Sequence, residues 1–156
     1  MKIKRRGPLV RVDIDSAESG ILIDLLDDFG AMLDAADPGD AVTARNPIIQ
    51  RLFPDGYRDD EDAAQEYRDL VVEDLRAARH ARLQVCRAEI PAAGGRVELD
   101  LEGADRWIRV LNDLRLAFGV QLGVSEETEL DPADDLAQIY GWLTAVQDTF
   151  VTQLMR

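Results

Sequence analysis

The sequence predicts a mainly α fold of the α+β class, a helical bundle of four main helices with a small two-stranded antiparallel sheet. Several long segments repeat apolar residues at helical spacing, whereas only two short segments alternate apolar and polar residues. Glycine and proline clusters separate these segments. Because 156 residues suffice to bury a core and show no internal repeat or linker, we expect residues 1–156 to form a single domain.

The first third of the chain predicts one strand and two helices. Residues 8–14, PLVRVDI, alternate apolar and polar side chains as a half-buried strand does. The helix that follows is predicted to have Asp15 or Ser16 as N-cap, with Glu18 in its first turn. A short helix is predicted to open at Pro47, since proline is favoured at the first helical position.

The remainder predicts three long helices and a second strand. The longest helix is expected at about residues 59 to 90, with acids in its first half and arginines in its second half. Residues 97–101, VELDL, predict the second strand, and residues 107–124 predict a largely apolar helix. The final helix is predicted to have Asp131 as N-cap and Pro132 at its first position.

The charge of the chain bears on its partners. It holds 31 acidic residues against 18 lysines and arginines, a formal net charge of −13. Such a surface repels phosphate backbones and anionic lipids, so we expect neither nucleic-acid binding by this chain alone nor membrane binding. No segment is long and apolar enough for a secretory signal or a membrane span, which favours a cytoplasmic protein with protein partners.

Catalytic, metal and cofactor sites find little support in the sequence. His80 is the one histidine, and its helical neighbours at Arg76, Ala77, Leu83 and Gln84 include no carboxylate. We therefore predict no metal, no cofactor and no catalytic residues. An enzyme would need a polar pocket in which His80 meets two convergent carboxylates.

Cys86 is the one chemically distinctive position and the candidate for a redox role. Arg79 and Arg82 lie on either side of it on a helical wheel, and Arg87 follows it in sequence. Positive neighbours favour a thiolate, lower the pKa of a thiol and increase its reactivity towards peroxide. The favoured alternative is a small buried apolar residue beside arginines that stabilise the helix C-terminus.

A basic stretch on the long helix is the candidate for partner binding. It contains Arg76, Arg79, Arg82 and Arg87 within twelve residues. These guanidinium groups would suit an acidic protein partner or a phosphate group. The alternative is that acids of the same chain neutralise them.

The predicted helix WIRVLNDLRLAFGVQLGV holds four polar residues that we interpret as structural. Arg109 stands four residues from both Asp105 and Asp113, so we expect ion pairs along an exposed helix edge. Asn112 and Arg115 lie nearer the apolar face, where burial would require hydrogen-bond partners in adjoining helices.

Residues 51–68, 107–124 and 140–155 together resemble an actinobacterial family described as a domain of unknown function. Its members are usually encoded beside the ClpS protease adaptor and include an oxidative-stress regulator. The resemblance implies a cytoplasmic regulator that senses oxidation through an intramolecular disulfide and works with an alternative sigma factor. This chain departs from that pattern, because Cys86 alone permits only an intermolecular disulfide, a mixed disulfide or sulfenic acid.

The resemblance and the charge together predict a non-enzymatic, redox-responsive, transcription-associated regulator that acts through a protein partner such as an alternative sigma factor. The alternative is an interaction module tied to ClpS- and Clp-dependent proteolysis. Whether the chain forms a homodimer stays open.

Overall fold

A computed structural model describes residues 1–35, 45–54, 73–124 and 131–156. These residues form three strands, β1 (Lys2–Arg6), β2 (Leu9–Ile14) and β3 (Gly95–Leu99). They also form five helices, α1 (Ser16–Ala35), α2 (Pro47–Leu52), α3 (Glu73–Glu89), α4 (Leu101–Gln121) and α5 (Asp135–Leu154). The predicted mainly helical class is therefore confirmed.

The sheet has three strands in the order β1-β2-β3, and both pairings are antiparallel. The prediction of two strands was wrong because β1 lies in the basic segment KIKRR, where Ile3 is the one apolar residue. Period-two alternation is too weak there to indicate a strand. Gly7, with a φ of 62°, joins β1 to β2 in a tight hairpin, and it is this pairing that makes the segment a strand.

Two helix starts match the predictions. At α1, the Glu18 backbone N–H donates to Asp15 Oδ1 over 2.8 Å, and the Asp15 N–H donates to Glu18 Oε2 over 3.0 Å. This reciprocal pair is a capping box, which satisfies two N–H groups that would otherwise lack partners. At α2, Pro47 opens the helix and Asn46 caps it by accepting from the Ile48 N–H over 2.9 Å.

Two other helix starts differ from the predictions. Asp100 is the N-cap of α4 and accepts from the Gly103 N–H over 2.7 Å, so β3 ends at Leu99 and the helix begins before Trp107. Asp134, not Asp131, caps α5 and accepts from a backbone N–H over 2.8 Å. Asp131 closes a local turn instead, since its carboxylate accepts from the N–H two residues later over 2.9 Å.

The long predicted helix is described in part. The structure places α3 from Glu73 to Glu89, close to the predicted C-terminal end at residue 90. Residues 59–72 of the prediction, with most of its acids, lie outside the described residues.

The core lies between the inner face of the sheet and the helices, with α4 at its centre. This helix contacts α1, α2, α3, α5 and the strands β2 and β3. The largest fully buried apolar side chains are Val10, Val12, Leu22, Leu33, Leu83, Leu114, Leu143 and Phe150. In the described ranges, no helix is long and apolar enough to cross a membrane.

Ser19 of α1 is fully buried, and its hydroxyl has no hydrogen-bond partner among the described residues. An unsatisfied buried hydroxyl costs about 1 kcal/mol or more. We expect Ser19→Ala to raise the free energy of unfolding by about 1 kcal/mol, measured by urea denaturation, since alanine also has the higher helix propensity.

Thr144→Ala is the control for Ser19→Ala. The Thr144 hydroxyl donates to the Tyr140 carbonyl over 2.8 Å and accepts from Arg115 Nε over 3.0 Å. Because both bonds are lost, we expect this variant to be less stable than the wild type. A destabilised Ser19→Ala would contradict the view that the Ser19 hydroxyl is unsatisfied.

Candidate functional site

The redox candidate Cys86 lies on the inner face of α3 and is 3% exposed. Beside it is a cavity of about 10 Å³ between α1, α3 and α4, lined by apolar side chains such as Leu22, Ile90 and Trp107. That volume is about the minimum that a single water molecule needs, and no polar group lines it. An oxidant or a small thiol therefore has no space next to the sulfur in this conformation.

Burial raises the pKa of Cys86 to about 12, and the negative charge of Glu89 acts in the same direction. Arg106 and Arg82 lower the pKa but do not outweigh the loss of solvation. The expectation that neighbouring arginines lower the pKa of this thiol was therefore wrong. The alternative, a small buried apolar residue, agrees with its position.

We expect Cys86 to be unreactive towards Ellman's reagent at pH 8 in the native protein and to react promptly in urea. Reaction requires the thiolate and access to it, and folding removes both. Titration at several urea concentrations would show whether reaction follows unfolding. A rapid native-state reaction in the absence of urea would contradict this prediction.

The stability of the protein should also depend on pH through Cys86. Its folded-state pKa of about 12 exceeds the 9.0 of a solvent-exposed thiol, so its contribution to stability is complete below pH 9 and lost as the pH rises towards 12. We expect the free energy of unfolding to fall more steeply above pH 9 in the wild type than in Cys86→Ala. Urea denaturation at several alkaline pH values would measure the two slopes, and equal slopes would contradict the raised pKa.

Next to Cys86, Glu89 joins the end of α3 to the start of α4. Its two carboxylate oxygens accept from Arg106 Nη2 and from Trp107 Nε1, each over 2.6 Å. Both bonds are short because the acceptor is charged. Sequence reasoning missed this cluster, although Glu89, as an acid in the basic half of its helix, was a signal that something must pair with it. Glu89 therefore links α3 to α4 through these two hydrogen bonds.

The candidate partner-binding arginines all have partners within the chain. Arg76 bonds to Glu73 over 2.7 Å and to the carbonyl of Leu33 over 3.1 Å. Arg87 makes a two-point ion pair with Asp27 of α1, at 2.8 and 3.1 Å, which holds the pKa of that carboxyl below its usual value. Binding of a protein partner here would compete with these pairs.

Arg79 and Arg82 converge on Asp113 of α4. Their nitrogens lie 3.3 and 3.8 Å from the same carboxylate oxygen, and the Arg79 guanidinium also stacks over the Phe53 ring at 4.9 Å. Burial raises the pKa of Asp113, while the two arginines oppose the shift. The prediction of an exposed pair between Asp113 and Arg109 was wrong, because Asp113 is 5% exposed and faces α3.

Arg109 and Arg115 of α4 make contacts within the chain, as predicted. Arg109 pairs with Asp105 at 2.7 Å on the exposed side. Arg115 bonds to Thr144 and Gln147 of α5 and lies over the Tyr140 ring at 5.6 Å. A partly buried guanidinium thereby obtains acceptors in the adjoining helix.

Among the described residues, His80 meets one carboxylate. Its Nε2 lies 3.2 Å from Asp34 Oδ1 of α1, a contact that the helical spacing of α3 could not indicate. Within residues 1–35, 45–54, 73–124 and 131–156, no group of three His, Cys, Asp or Glu could hold a metal ion. The arrangement that would support an enzyme, with two carboxylates on His80, is not formed by these residues.

A larger concave surface lies between α1, α2, α4 and α5. This groove has a volume of about 550 Å³ and is lined mainly by apolar side chains, including Phe29, Met32, Ile48 and Phe118. Among the described residues that line the groove, Asp28 is the one titratable group. A surface of this kind can bind apolar side chains, and its described lining residues do not bring together the acid and the base that general acid–base catalysis requires.

Comparison with known proteins extends these observations. Residues 1–154 match the family model described as Domain of unknown function (DUF2017). The Oxidative stress regulator AosR of Mycobacterium tuberculosis (strain ATCC 25618 / H37Rv) is 30% identical over 187 residues, covering 97% of this chain and 84% of that protein. The Putative oxidative stress regulator AosR of Mycobacterium leprae is 34% identical over 135 residues, covering 75% and 62%.

No solved structure matches the chain. The family match nevertheless spans almost every residue and includes the three segments on which the resemblance was based. The chain belongs to the DUF2017 family.

Proposed function

We propose that this protein is a non-enzymatic regulator linked to oxidative stress that acts in the cytoplasm by binding a protein partner, an alternative sigma factor. The observation that carries the proposal is the similarity, along 97% of the chain, to proteins named Oxidative stress regulator AosR. A regulatory role inherited from such relatives requires no reaction centre in this chain.

The charges of the described residues support binding over catalysis. Cys86, Asp113 and Glu89 are each engaged in packing or in pairs between helices, and none of them lines the open groove. The net charge of −13 supports a partner that itself contacts promoter DNA, since the chain alone would be repelled by phosphates.

The proposal does not include an internal disulfide. Cys86 is the one cysteine of the sequence and is buried. A response to oxidants would then reside in the partner, and this protein would contribute binding.

Affinity capture from its own cells tests the proposal. The tagged chain and its Cys86→Ala variant would be recovered with and without peroxide, and the co-purifying proteins identified by mass spectrometry. We expect a sigma factor to co-purify with both the wild type and the variant. The complex should then form again from the two purified proteins. Enrichment of a Clp adaptor or Clp ATPase instead would favour the proteolysis module, and recovery of none of these would contradict both functions.

A further inference from the structure

The outer face of the sheet is strongly basic in a chain that is strongly acidic. The inner face packs on the helices, whereas the side chains of the outer face are exposed or half-buried. That outer face carries five bases and two acids: Lys2, Lys4, Arg6, Arg11, Arg96, Asp13 and Glu98. Its formal charge is thus positive, against −13 for the whole chain.

The strand register distributes this charge evenly. Lys2 lies opposite Asp13, which lies opposite Arg96, so this cross-strand row has two bases and one acid. The next row has the same composition, with Lys4, Arg11 and Glu98, and the last pairs Arg6 with Leu9. Each row therefore carries one net positive charge.

The charge that remains unneutralised lies on β1. Arg11 pairs with Glu98 at 3.0 Å, and Arg96 pairs with Asp13 at 2.8 Å. Lys2, Lys4 and Arg6 are exposed and make no ion pair with any residue in the described parts of the chain. They contrast with the arginines of α3, whose charges are already paired.

We propose that this outer face is the docking surface for an acidic, extended segment of a protein partner. The inference rests on the proposed function, that the protein acts by binding a partner, and it names the surface and the chemistry. Alternate side chains of a strand are about 7 Å apart, so carboxylates at every second residue of an extended segment match the spacing of Lys2, Lys4 and Arg6. Leu9, 37% exposed beside Arg6, offers an apolar contact at the end of the row.

The face of the sheet, and not the edge of β1, provides this surface. The Arg5 N–H donates to Gln153 Oε1 over 2.9 Å, and Arg5 Nη1 donates to the Leu154 carbonyl over 3.0 Å. The end of α5 thereby covers the outer edge of β1 at its middle. Addition of a partner strand by backbone pairing would have to displace these contacts.

A short acidic peptide suits this surface better than nucleic acid does. Duplex DNA carries one negative charge per about 1.7 Å and continues past a strand that is about 17 Å long. The remainder of the chain is acidic, since the net charge of the whole chain is −13 although the outer face of the sheet is positive, so a long duplex would also be repelled. A short segment can end where the basic face ends, so it gains the attraction without the repulsion.

Fluorescence anisotropy with a labelled ten-residue peptide of alternating Glu and Thr tests the proposal. We expect this probe to bind the wild type and to be weakened at high salt, because exposed charges are screened. The variant Lys2→Gln/Lys4→Gln/Arg6→Gln should raise Kd about tenfold. In NMR spectra, the backbone amide resonances of the protein that shift when the peptide is added should belong to β1, β2 and β3.

The matched control is Arg45→Gln/Arg51→Gln/Arg156→Gln. It also removes three positive charges, but from exposed positions outside the sheet. We expect its Kd for the peptide to stay within about twofold of the wild-type value. Circular dichroism would verify that both variants are folded. Equal weakening in both variants, no binding by the wild type, tighter binding of a short DNA duplex, or a changed oligomeric mass in the sheet variant would each overturn the proposal.

The capture experiment separates this inference from the proposed function. If the wild type and the sheet variant recover the same partner equally well, the function stands and the docking surface is wrong. If the peptide binds the sheet but no partner is recovered, the surface stands and the function is wrong.

Discussion

Gly94→Ala is expected to lower the free energy of unfolding by about 3 kcal/mol, since it combines an unfavourable backbone conformation with a steric overlap. Gly94 has a φ of 78°, a region that residues with a Cβ avoid. A Cβ there would lie 2.7 Å from the backbone carbon of Asp15 and 2.7 Å from the nitrogen of Ser16. Because these are backbone atoms at the start of α1, they can move only if the helix moves away from the sheet.

Gly7→Ala is the matched control for Gly94→Ala. Gly7 has a similar φ of 62°, but a Cβ would meet nothing within 4 Å. We expect a loss of about 1 kcal/mol, from the backbone conformation alone. Urea denaturation followed by circular dichroism would give both values, and equal losses would show that α1 does not pack closely on the Gly94 turn.

Asp113→Ala is expected to lower the free energy of unfolding by about 3 kcal/mol, as removal of one partner from a buried ion pair generally does. The Asp113 side chain is 8% exposed, and those of Arg79 and Arg82 are 17% and 32% exposed. Truncation would leave two guanidinium groups partly desolvated with no carboxylate. Asp113→Asn, which retains an acceptor, should lose less.

Asp105→Ala is the control for Asp113→Ala on the same helix. Asp105 pairs with Arg109 at 2.7 Å, but both side chains are more than half exposed. Exposed ion pairs contribute little because water solvates the separated charges well. We expect no resolvable change in the urea midpoint. If Asp113→Ala were equally neutral, the contacts from α3 to Asp113 would not contribute to stability.

Local signals in the sequence predicted the elements that depend on neighbours a few residues away. The Asp15 cap of α1 and Pro47 at the start of α2 could both be predicted, since a cap depends on residues within one turn. The strand β1 could not be predicted, because its pairing with β2 decides its structure. The N-cap of α5 was predicted at Asp131, but Asp134 occupies it. Two aspartates three residues apart give equally good local signals, so the sequence could not distinguish them.

The sequence indicated which residues were site candidates, but it could not indicate which residues they contact. The sequence placed Cys86 among arginines and suggested reactivity, yet burial against α1 and α4 dominates its pKa. Arg87 finds Asp27 across 60 residues of chain, a distance at which no helical spacing gives information. The basic row of β1 was visible as a basic terminus, but its position on one exposed face required the strand register.

The sequence by itself determined the helical class, the starts of α1 and α2 and the acidic net charge, because propensity, capping and net charge depend on composition and on near neighbours. Tertiary structure alone decided that the arginines of α3 are paired within the chain, that burial raises the pKa of Cys86, and that unpaired bases lie together on the outer face of the sheet. Those properties depend on desolvation and on distances between charges on different elements, which exist only once the chain has folded.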